Sequence, residues 1–235
     1  AGYELTEEVY TEGEDTETST IDYQIRYPQV SGLPSGKDEE VNQILRDAAM
    51  ANADSYYINP TPETQEFLDQ QEYLYLGSEV EYKVTYMDEN LLCVVFDDHY
   101  FTGSVYGEYS ALRVRIIDLN LASRYEIQDV LQTDGTFLET WREKMLEEDP
   151  DNYPAAELPD EVLQETLTGA IAENRYFSNL LLTKNGVEVG FTYAFSSEDG
   201  QRLSRGWVTA PFTPEEIAPY QTDSQMWNLF HVQEN

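Results

Sequence analysis

The sequence predicts an α+β protein made of two closely packed α/β units with mainly antiparallel sheets. Short apolar and alternating runs typical of strands are grouped together, the connections between them are short, and the helical stripes fall in separate stretches. The clearest strand is residues 91–96, LLCVVF, which is too apolar and too β-branched for a surface loop. We expect this strand to be central and buried on both faces.

The N-terminal part predicts a tail, a strand and a helix. Residues 1–20 are rich in Glu, Thr and Gly and have no apolar period, so they predict a flexible acidic tether. Apolar residues alternate over residues 21–27, which predicts a strand. Residues 38–57 carry an apolar stripe at helical spacing, and we expect Pro60 and Pro62 to end that amphipathic helix.

Three consecutive antiparallel strands complete the first unit, which we place at residues 21–123. They are predicted at residues 80–86, 91–96 and 112–119. A polar turn cluster separates the first two strands, and the glycine-punctuated residues 102–107 supply the backbone freedom for the second turn.

The second unit is predicted at residues 124–235, so that the two units meet near residues 120–130. Residues 137–145 and 162–171 each carry one apolar helical face, and an acidic loop with prolines separates them. Residues 180–183 and 187–191 predict a hairpin that turns through Asn185-Gly186.

Charge is the strongest compositional feature. The 235 residues include 46 Asp and Glu against 13 Lys and Arg, a formal net charge of −33. Such a field repels nucleic acid and anionic lipid and attracts cations and basic proteins, so nucleic-acid binding is excluded. The alternative interpretation is that the acidic charge only keeps the protein soluble. No apolar run is long enough to span a bilayer, so we expect no membrane insertion by this chain.

Catalytic chemistry has few candidates in the sequence. His99 and His231 are the only histidines, and the single Cys93 lies in the apolar strand, where it predicts an inert core thiol. No nucleophile, metalloprotease or nucleotide-binding motif is present. Asp97 and His99 alternate with Asp98 across a strand, so a metal site there would need further ligands. We therefore predict a protein that is not an enzyme, with no catalytic residue, metal or cofactor.

Aromatic side chains around the turn at residues 102–107 are the candidate recognition residues. They are Tyr100, Phe101, Tyr106 and Tyr109. Rigid amphipathic rings provide contact area at low entropic cost, which favours partner binding. The alternative is that half of them pack beneath the second unit.

Three stretches of the chain resemble one known family. The residues that carry the resemblance are Asn90 to Phe96 with the turn Tyr100 to Gly107 and the pair Asp118-Leu119, then residues 180–191 with Glu216-Ile217-Ala218-Pro219-Tyr220, and more weakly residues 27–33 with Val41-Asn42 and Ile44. They resemble the extracellular part of RsiV-type anti-sigma factors and related secreted proteins of Gram-positive bacteria, many of them built from paired domains of unknown function. The turn departs from the family, because Ser104, Val105 and Tyr106 stand where the family tends to have Gly-Ala-His.

The resemblance implies an extracellular or cell-surface, non-enzymatic binding or sensing domain, similar to the ectodomain that recognises lysozyme. It also implies a signal peptide, lipid anchor or membrane helix upstream of Ala1. A basic protein such as lysozyme would then be the partner, and its charge complements that of this chain. The alternative is a cell-envelope structural or carbohydrate-associated module without a protein ligand.

Overall fold

The computed structural model describes residues 2–169, 177–196 and 203–233, and within them it shows two β-sheets and several helices. The larger sheet has six strands in sequence order: β1 (Glu4–Asp15), β2 (Ser19–Ser31), β3 (Leu74–Met87), β4 (Leu91–Gly103), β5 (Glu108–Asp118) and β6 (Ser123–Tyr125). The smaller sheet has three: β7 (Phe177–Thr183), β8 (Gly186–Ser196) and β9 (Leu203–Phe212).

Most helices are short. They are α1 (Asp38–Ala49), α2 (Ala51–Ala53), α3 (Pro62–Asp69), α4 (Ile127–Val130), α5 (Gly135–Glu148), α6 (Tyr153–Glu157), α7 (Asp160–Thr168), α8 (Pro214–Ile217) and α9 (Met226–Leu229). A π-helical turn (Asp54–Ile58) follows α2, and a 3-10 turn (Ala218–Tyr220) follows α8. In the part of the chain described, no helix has the length and apolar character needed to cross a membrane.

The large sheet is mainly antiparallel, which confirms the predicted α+β class. Strands β3, β4 and β5 pair as three consecutive antiparallel strands, as the sequence indicates. Only β2 and β3 are parallel, with Ser19–Ile25 opposite Leu74–Val80. Parallel neighbours need a crossover connection, and here helices α1 to α3 provide it.

Strand β4 is central and lies between two apolar clusters, as predicted. Leu92, Val94 and Phe96 pack on one face with the buried side of α1. Leu91 and Cys93 point to the opposite face, where the helices and the small sheet of the C-terminal part pack. Each sheet face is thus covered in its middle, and only the ends and the outer strands are left to carry a binding surface.

The smaller sheet confirms the predicted hairpin and adds a strand. Strands β7 and β8 pair from Thr183 opposite Gly186 to Phe177 opposite Thr192. Strand β9, which was not predicted, pairs along the other edge of β8. The indole N–H of buried Trp141 on α5 donates to the carbonyl oxygen of Val189 at 2.7 Å, which ties that helix to the sheet. Ala170 and Ile171, predicted at the end of the α7 face, lie outside the described residues.

The prediction of a flexible tether at residues 1–20 is wrong for most of that segment. Glu4–Asp15 forms β1, and each of its residues lies opposite one in β2. Its side chains are mostly exposed on both faces, so no apolar alternation marks the strand in the sequence. The strand is held by its backbone pairing and by a few anchors, among them the Tyr3 hydroxyl, which donates to the carbonyl oxygen of Asp88 at 2.9 Å.

The predicted helix at residues 38–57 is present as α1, α2 and the π-helical turn. Pro62, however, begins a further helix rather than only ending the previous one. The Thr61 hydroxyl caps α3 by accepting a hydrogen bond from the backbone N–H of Thr64 at 3.2 Å, and proline suits the first helical position because its missing N–H has no partner there. The division into units 21–123 and 124–235 stays a prediction, because one apolar cluster combines residues of β4 and β5 with the C-terminal part.

Candidate binding surface at the β4–β5 turn

The turn between β4 and β5 is shaped by backbone geometry at its start. Gly103 has a φ of +123°, which side-chain-bearing residues rarely adopt, and a Cβ there would lie 2.9 Å from Cδ2 of Leu68 on α3. The turn then closes through a hydrogen bond from the N–H of Gly107 to the carbonyl oxygen of Ser104 at 3.0 Å. The glycine therefore lets the strand end pack against α3 while residues 104–107 project beyond it.

The structure separates the four aromatic residues predicted to bind a partner. Tyr100 and Tyr109 lie opposite each other on β4 and β5, and their rings stack with centroids 5.4 Å apart. Phe101 points to the other sheet face and packs on Tyr75, with ring centroids 4.2 Å apart. Burial raises the pKa of Tyr100 to about 12, so its ring belongs partly to the interior. Tyr106 stands in the turn and is 89% exposed.

Three further exposed apolar side chains lie at the same end of the sheet. Phe67 and Val105 are 47% and 46% exposed, and Tyr73 is 37% exposed. The ring of Phe67 lies beside Gly103, and Tyr73 precedes Leu74 at the start of β3, whose next residue pairs with Gly103. We call Phe67, Tyr73, Val105 and Tyr106 the aromatic tip. Phe67 and Tyr73 were missed because α3 was not predicted, and nothing in the local sequence links them to the turn.

Acidic residues flank the aromatic tip at one corner of the sheet. Strand β1, an edge strand, carries six acidic residues and no basic one: Glu4, Glu7, Glu8, Glu12, Glu14 and Asp15. Asp15 lies in one row with Thr20, Tyr75 and Gly103 across β1 to β4. Three strand spacings make this row about 15 Å wide. We call the six acidic residues of β1 the acidic edge. Its last residue, Asp15, and the aromatic tip therefore belong to one small patch of the surface.

Asp98 lies further along β4 and is fully buried. Its carboxylate accepts hydrogen bonds from the Ser78 hydroxyl at 2.6 Å, from Nδ2 of Asn52 at 2.8 Å and from Nη2 of Arg113 at 2.8 Å. The predicted alternation is confirmed, since Asp97 and His99 point to the opposite, exposed face. These three hydrogen bonds give Asp98 a structural role. Within the described residues, no three His, Cys, Asp or Glu side chains are grouped to hold a metal ion.

His99 forms a polar cluster with its neighbours on the exposed face. The Ser110 hydroxyl lies 2.8 Å from Nδ1 of His99, and Oδ1 of Asp97 lies 3.8 Å from Nε2. Ser110 sits opposite His99 in the β4–β5 ladder, so this is a cross-strand pair on an open sheet face. A serine nucleophile needs in addition a base that is itself held in place, and at 3.8 Å the Asp97 oxygen lies beyond hydrogen-bond distance of the His99 ring. The geometry therefore favours a surface contact over an activated nucleophile.

Cys93 is fully buried, as predicted for a core thiol. Burial raises the pKa of its thiol to about 11. The backbone N–H of Leu182 points at its sulfur, 3.4 Å away, so the thiol joins β4 to the small sheet. A thiol in this environment packs and does not act as a nucleophile.

These observations define an α+β domain with an exposed aromatic and acidic corner. Its solved structural relatives include a member of the DUF3298 family from Bacteroides fragilis, with a TM-score of 0.57, 14% sequence identity, and coverage of 96% of each chain. A DUF3298 family protein from Pseudomonas aeruginosa matches with a TM-score of 0.47 and 12% identity over 94% of this chain and 93% of that one. The chain matches no protein-family profile and no curated protein.

At 14% identity the similarity to the Bacteroides protein concerns the fold, which is that of a domain of unknown function. The coverage of 96% of each chain means that the similarity extends over nearly the whole length of both. The finer resemblance to the RsiV-type ectodomain stays a prediction.

Proposed function

We propose that this chain is a non-enzymatic, extracellular or cell-surface binding or sensing domain whose partner is a basic protein such as lysozyme. The observation that carries the proposal is the position of the aromatic tip at the same corner as the acidic edge, in a chain of net charge −33. Exposed rings supply the buried contact area of an interface, and surrounding charges set the association rate and the choice of partner.

The two features play different physical roles in this proposal. Charges at the rim of an interface change mainly the association rate, so the acidic edge acts mainly on the approach of the partner. This effect weakens as salt rises, because charges more than about 8 Å apart are largely screened at physiological ionic strength. The aromatic tip acts after contact, because rings such as that of Tyr106 lose water when covered. Charge alone would attract any polycation, so specificity depends on the tip.

Calorimetry with lysozyme and with cytochrome c, a basic protein of similar size, tests the proposal. A specific surface predicts saturable one-to-one binding of lysozyme only. Tyr106→Ala and Val105→Ser should each weaken it by about 1 kcal/mol or more, which is roughly fivefold. Leu121→Ala is the matched control, because Leu121 is 64% exposed but lies in the β5–β6 connection. Phe101→Ala and Tyr100→Ala should act less directly, since their rings pack on protein neighbours.

Association kinetics test the acidic edge separately. The combined variant Glu12→Gln, Glu14→Gln and Asp15→Asn should slow association at low salt and leave dissociation nearly unchanged. The control removes three charges from the end of α5 and its cap, Glu147→Gln, Glu148→Gln and Asp149→Asn. Equal, weak, salt-sensitive binding of both basic proteins, indifferent to the tip variants, would contradict the proposal. It would favour the alternative of a cell-envelope structural or carbohydrate-associated module without a protein ligand.

A further inference from the structure

A cleft at the open edge of β5 collects basic side chains in this acidic protein. It has a volume of about 480 Å³ and lies between β5, β6, α2 with its following turn, α4 and β7. Arg113, Arg115 and Arg124 all line it, which is three of the 13 Lys and Arg of the chain. Arg113 and Arg115 are two residues apart on one strand and therefore share a face.

Two of the three arginines form ion pairs with neighbouring carboxylates. Nη2 of Arg113 lies 2.8 Å from the buried Asp98 carboxylate, and Nε of Arg113 donates to the carbonyl oxygen of Ala48 at 2.7 Å. Arg124 pairs with Glu126 at 3.2 Å. Both groups thus shape the wall of the cleft but add little net charge to it.

Among the described residues, Arg115 forms no ion pair, unlike Arg113 and Arg124. Its Nη1 donates only to the carbonyl oxygen of Val114, at 2.9 Å. Burial, reinforced by the neighbouring positive charges of Arg124 and Arg113, lowers the pKa of Arg115 to about 10. The carboxylates of Glu126 and Asp47 oppose this shift, but neither forms an ion pair with Arg115. The side chain is still protonated at neutral pH, and its guanidinium keeps donors that a ligand can use.

Asn179 on β7 provides a second, independent sign of a missing acceptor. It is 5% exposed, lines the same cleft, and its Nδ2 has no hydrogen-bond partner among the described residues. Buried donors of this kind are nearly always satisfied in folded proteins. An unpaired buried amide in the same cleft as a guanidinium without an ion pair indicates that an acceptor from outside the chain binds there.

Gly169 keeps the neighbouring hydroxyl open to the cleft. It has a φ of +77° at the end of α7, and a Cβ there would lie 3.1 Å from Oγ of Ser178. Ser178 lines the cleft next to Asn179. A side chain at position 169 would crowd a hydroxyl that can donate to or accept from a ligand.

We propose that this cleft binds a small ligand through its carboxylate, with the Arg115 guanidinium and the Asn179 amide as the donors. A planar carboxylate matches the fork of a guanidinium and leaves a lone pair for an amide N–H. The three arginines of the cleft exceed their two ion-paired acids, Asp98 and Glu126, by one positive charge. This excess suits a monoanion, whereas a phosphate dianion would be repelled twice as strongly by the net charge of −33. The volume is that of a ligand the size of a sugar acid or a short peptide.

This inference is independent of the proposed binding of a basic protein. Only Tyr100 among the predicted aromatic residues lines the cleft, and no residue of the aromatic tip does. Either proposal can fail while the other holds, because the ligands have opposite charge and the decisive variants lie at different places.

Calorimetric titration with two carboxylates and their uncharged counterparts tests the proposal and separates its two sources. The sugar pair is D-glucuronate against D-glucose, and the peptide pair is N-acetyl-alanyl-alanine against its C-terminal amide. At least one carboxylate should bind saturably, with a Kd on the order of 1 mM or tighter, and its uncharged counterpart should not. Inorganic phosphate should bind more weakly than the best carboxylate.

Variants assign the binding to the two donors. Arg115→Gln should weaken the bound carboxylate about tenfold or more, and Arg115→Lys should recover part of that loss because it keeps the charge without the fork. Asn179→Leu removes the amide and should weaken binding roughly fivefold. The same variant should leave the thermal midpoint of the ligand-free protein unchanged or higher, since a buried unpaired donor is replaced by an apolar group of similar shape.

Lys83→Gln is the control for net charge, because Lys83 is an exposed β3 residue that does not line the cleft. It should leave the affinity unchanged. The proposal is overturned if neither carboxylate binds, if phosphate binds as well as they do, or if Lys83→Gln weakens binding as much as Arg115→Gln. Chemical shifts of the Asn179 side-chain amide that do not move on saturation would equally exclude it from the site.

Discussion

At the scale of single residues, burial decides which of the many acids matter for the fold. Asp98 and Asp118 are buried, and each is surrounded by donors. Asp118 accepts the backbone N–H groups of Asn120 and Leu121, both at 3.0 Å, and the Tyr125 hydroxyl at 2.7 Å. These two acids order local structure, whereas exposed acids such as Glu12 contribute to the field around the molecule.

Asp98→Ala should lower the free energy of unfolding by about 3 kcal/mol. The change leaves Arg113, whose side chain is only 13% exposed, without its counter-ion, and truncating one partner of a buried ion pair is strongly destabilising. Urea denaturation measures the loss. Asp97→Ala is the matched control on the opposite, exposed face, and it should change stability by no more than about 0.5 kcal/mol. Equal losses for the two variants would mean that burial of the acid is not the cause.

At the scale of elements, close backbone packing explains how a parallel pair is accommodated in the large sheet. Gly13 of β1 and Gly77 of β3 lie on either side of Asp22 of β2 in one row. A Cβ at Gly77 would lie 2.5 Å from the carbonyl oxygen of Asp22, but at Gly13 it would meet nothing within 4 Å. The parallel junction therefore depends on a glycine that the antiparallel edge does not need.

Gly77→Ala should destabilise the protein by roughly 1–3 kcal/mol, because the added methyl forces β2 and β3 apart. Gly13→Ala should be close to neutral and is the matched control in the same row. Thermal unfolding of both variants, with hydrogen exchange of the β2 amides, measures the effect locally. If Gly13→Ala were the more harmful change, the observed order of β1, β2 and β3 would be contradicted.

At the scale of the whole molecule, 18 tyrosines make stability depend on alkaline pH. Burial is the main cause that raises the pKa of Tyr3, Tyr23 and Tyr125, and it raises the pKa of Tyr86 and Tyr100 to about 12. A pKa raised in the folded state means that the folded protein holds the proton more tightly. The resulting stability is fully present below the unfolded pKa of 10.0 and is lost as pH rises through the folded values.

The urea midpoint should therefore be constant to about pH 9 and fall between about pH 10 and 12, with each such tyrosine contributing about 1.4 kcal/mol per pH unit. Tyrosinate absorbance should appear together with unfolding. Tyr86→Phe should reduce the slope by one proton, since it removes a hydroxyl that donates to Asp88 at 2.7 Å. A slope unchanged in this variant would show that general charge repulsion, rather than buried tyrosine, causes the loss.

The local sequence pattern predicted the helices and strands that pack against an apolar core. The burial of β4 on both faces, the helix α1 and the β7–β8 hairpin all follow from apolar periodicity and turn residues. Strand β1 could not be predicted in this way, because an edge strand exposed on both faces has no alternation and is formed by pairing with β2. Helix α3 was missed because Pro62 both interrupts and begins helices.

The sequence by itself determined the class of the fold, the strong acidity, the thiol at the centre of the core and the presence of aromatic residues near the β4–β5 turn. Only the tertiary structure decided which of these aromatic residues are exposed, since Tyr100 and Phe101 point to opposite faces of the sheet and the neighbours of each face decide what covers them. It alone also placed Arg115 and Asn179 in one cleft, because those residues are 64 positions apart and line the same cavity only when β7 approaches the edge of β5. Charged groups and hydrogen-bond donors that are distant in the chain form a site only when the elements pack together, and a local sequence pattern does not predict that packing.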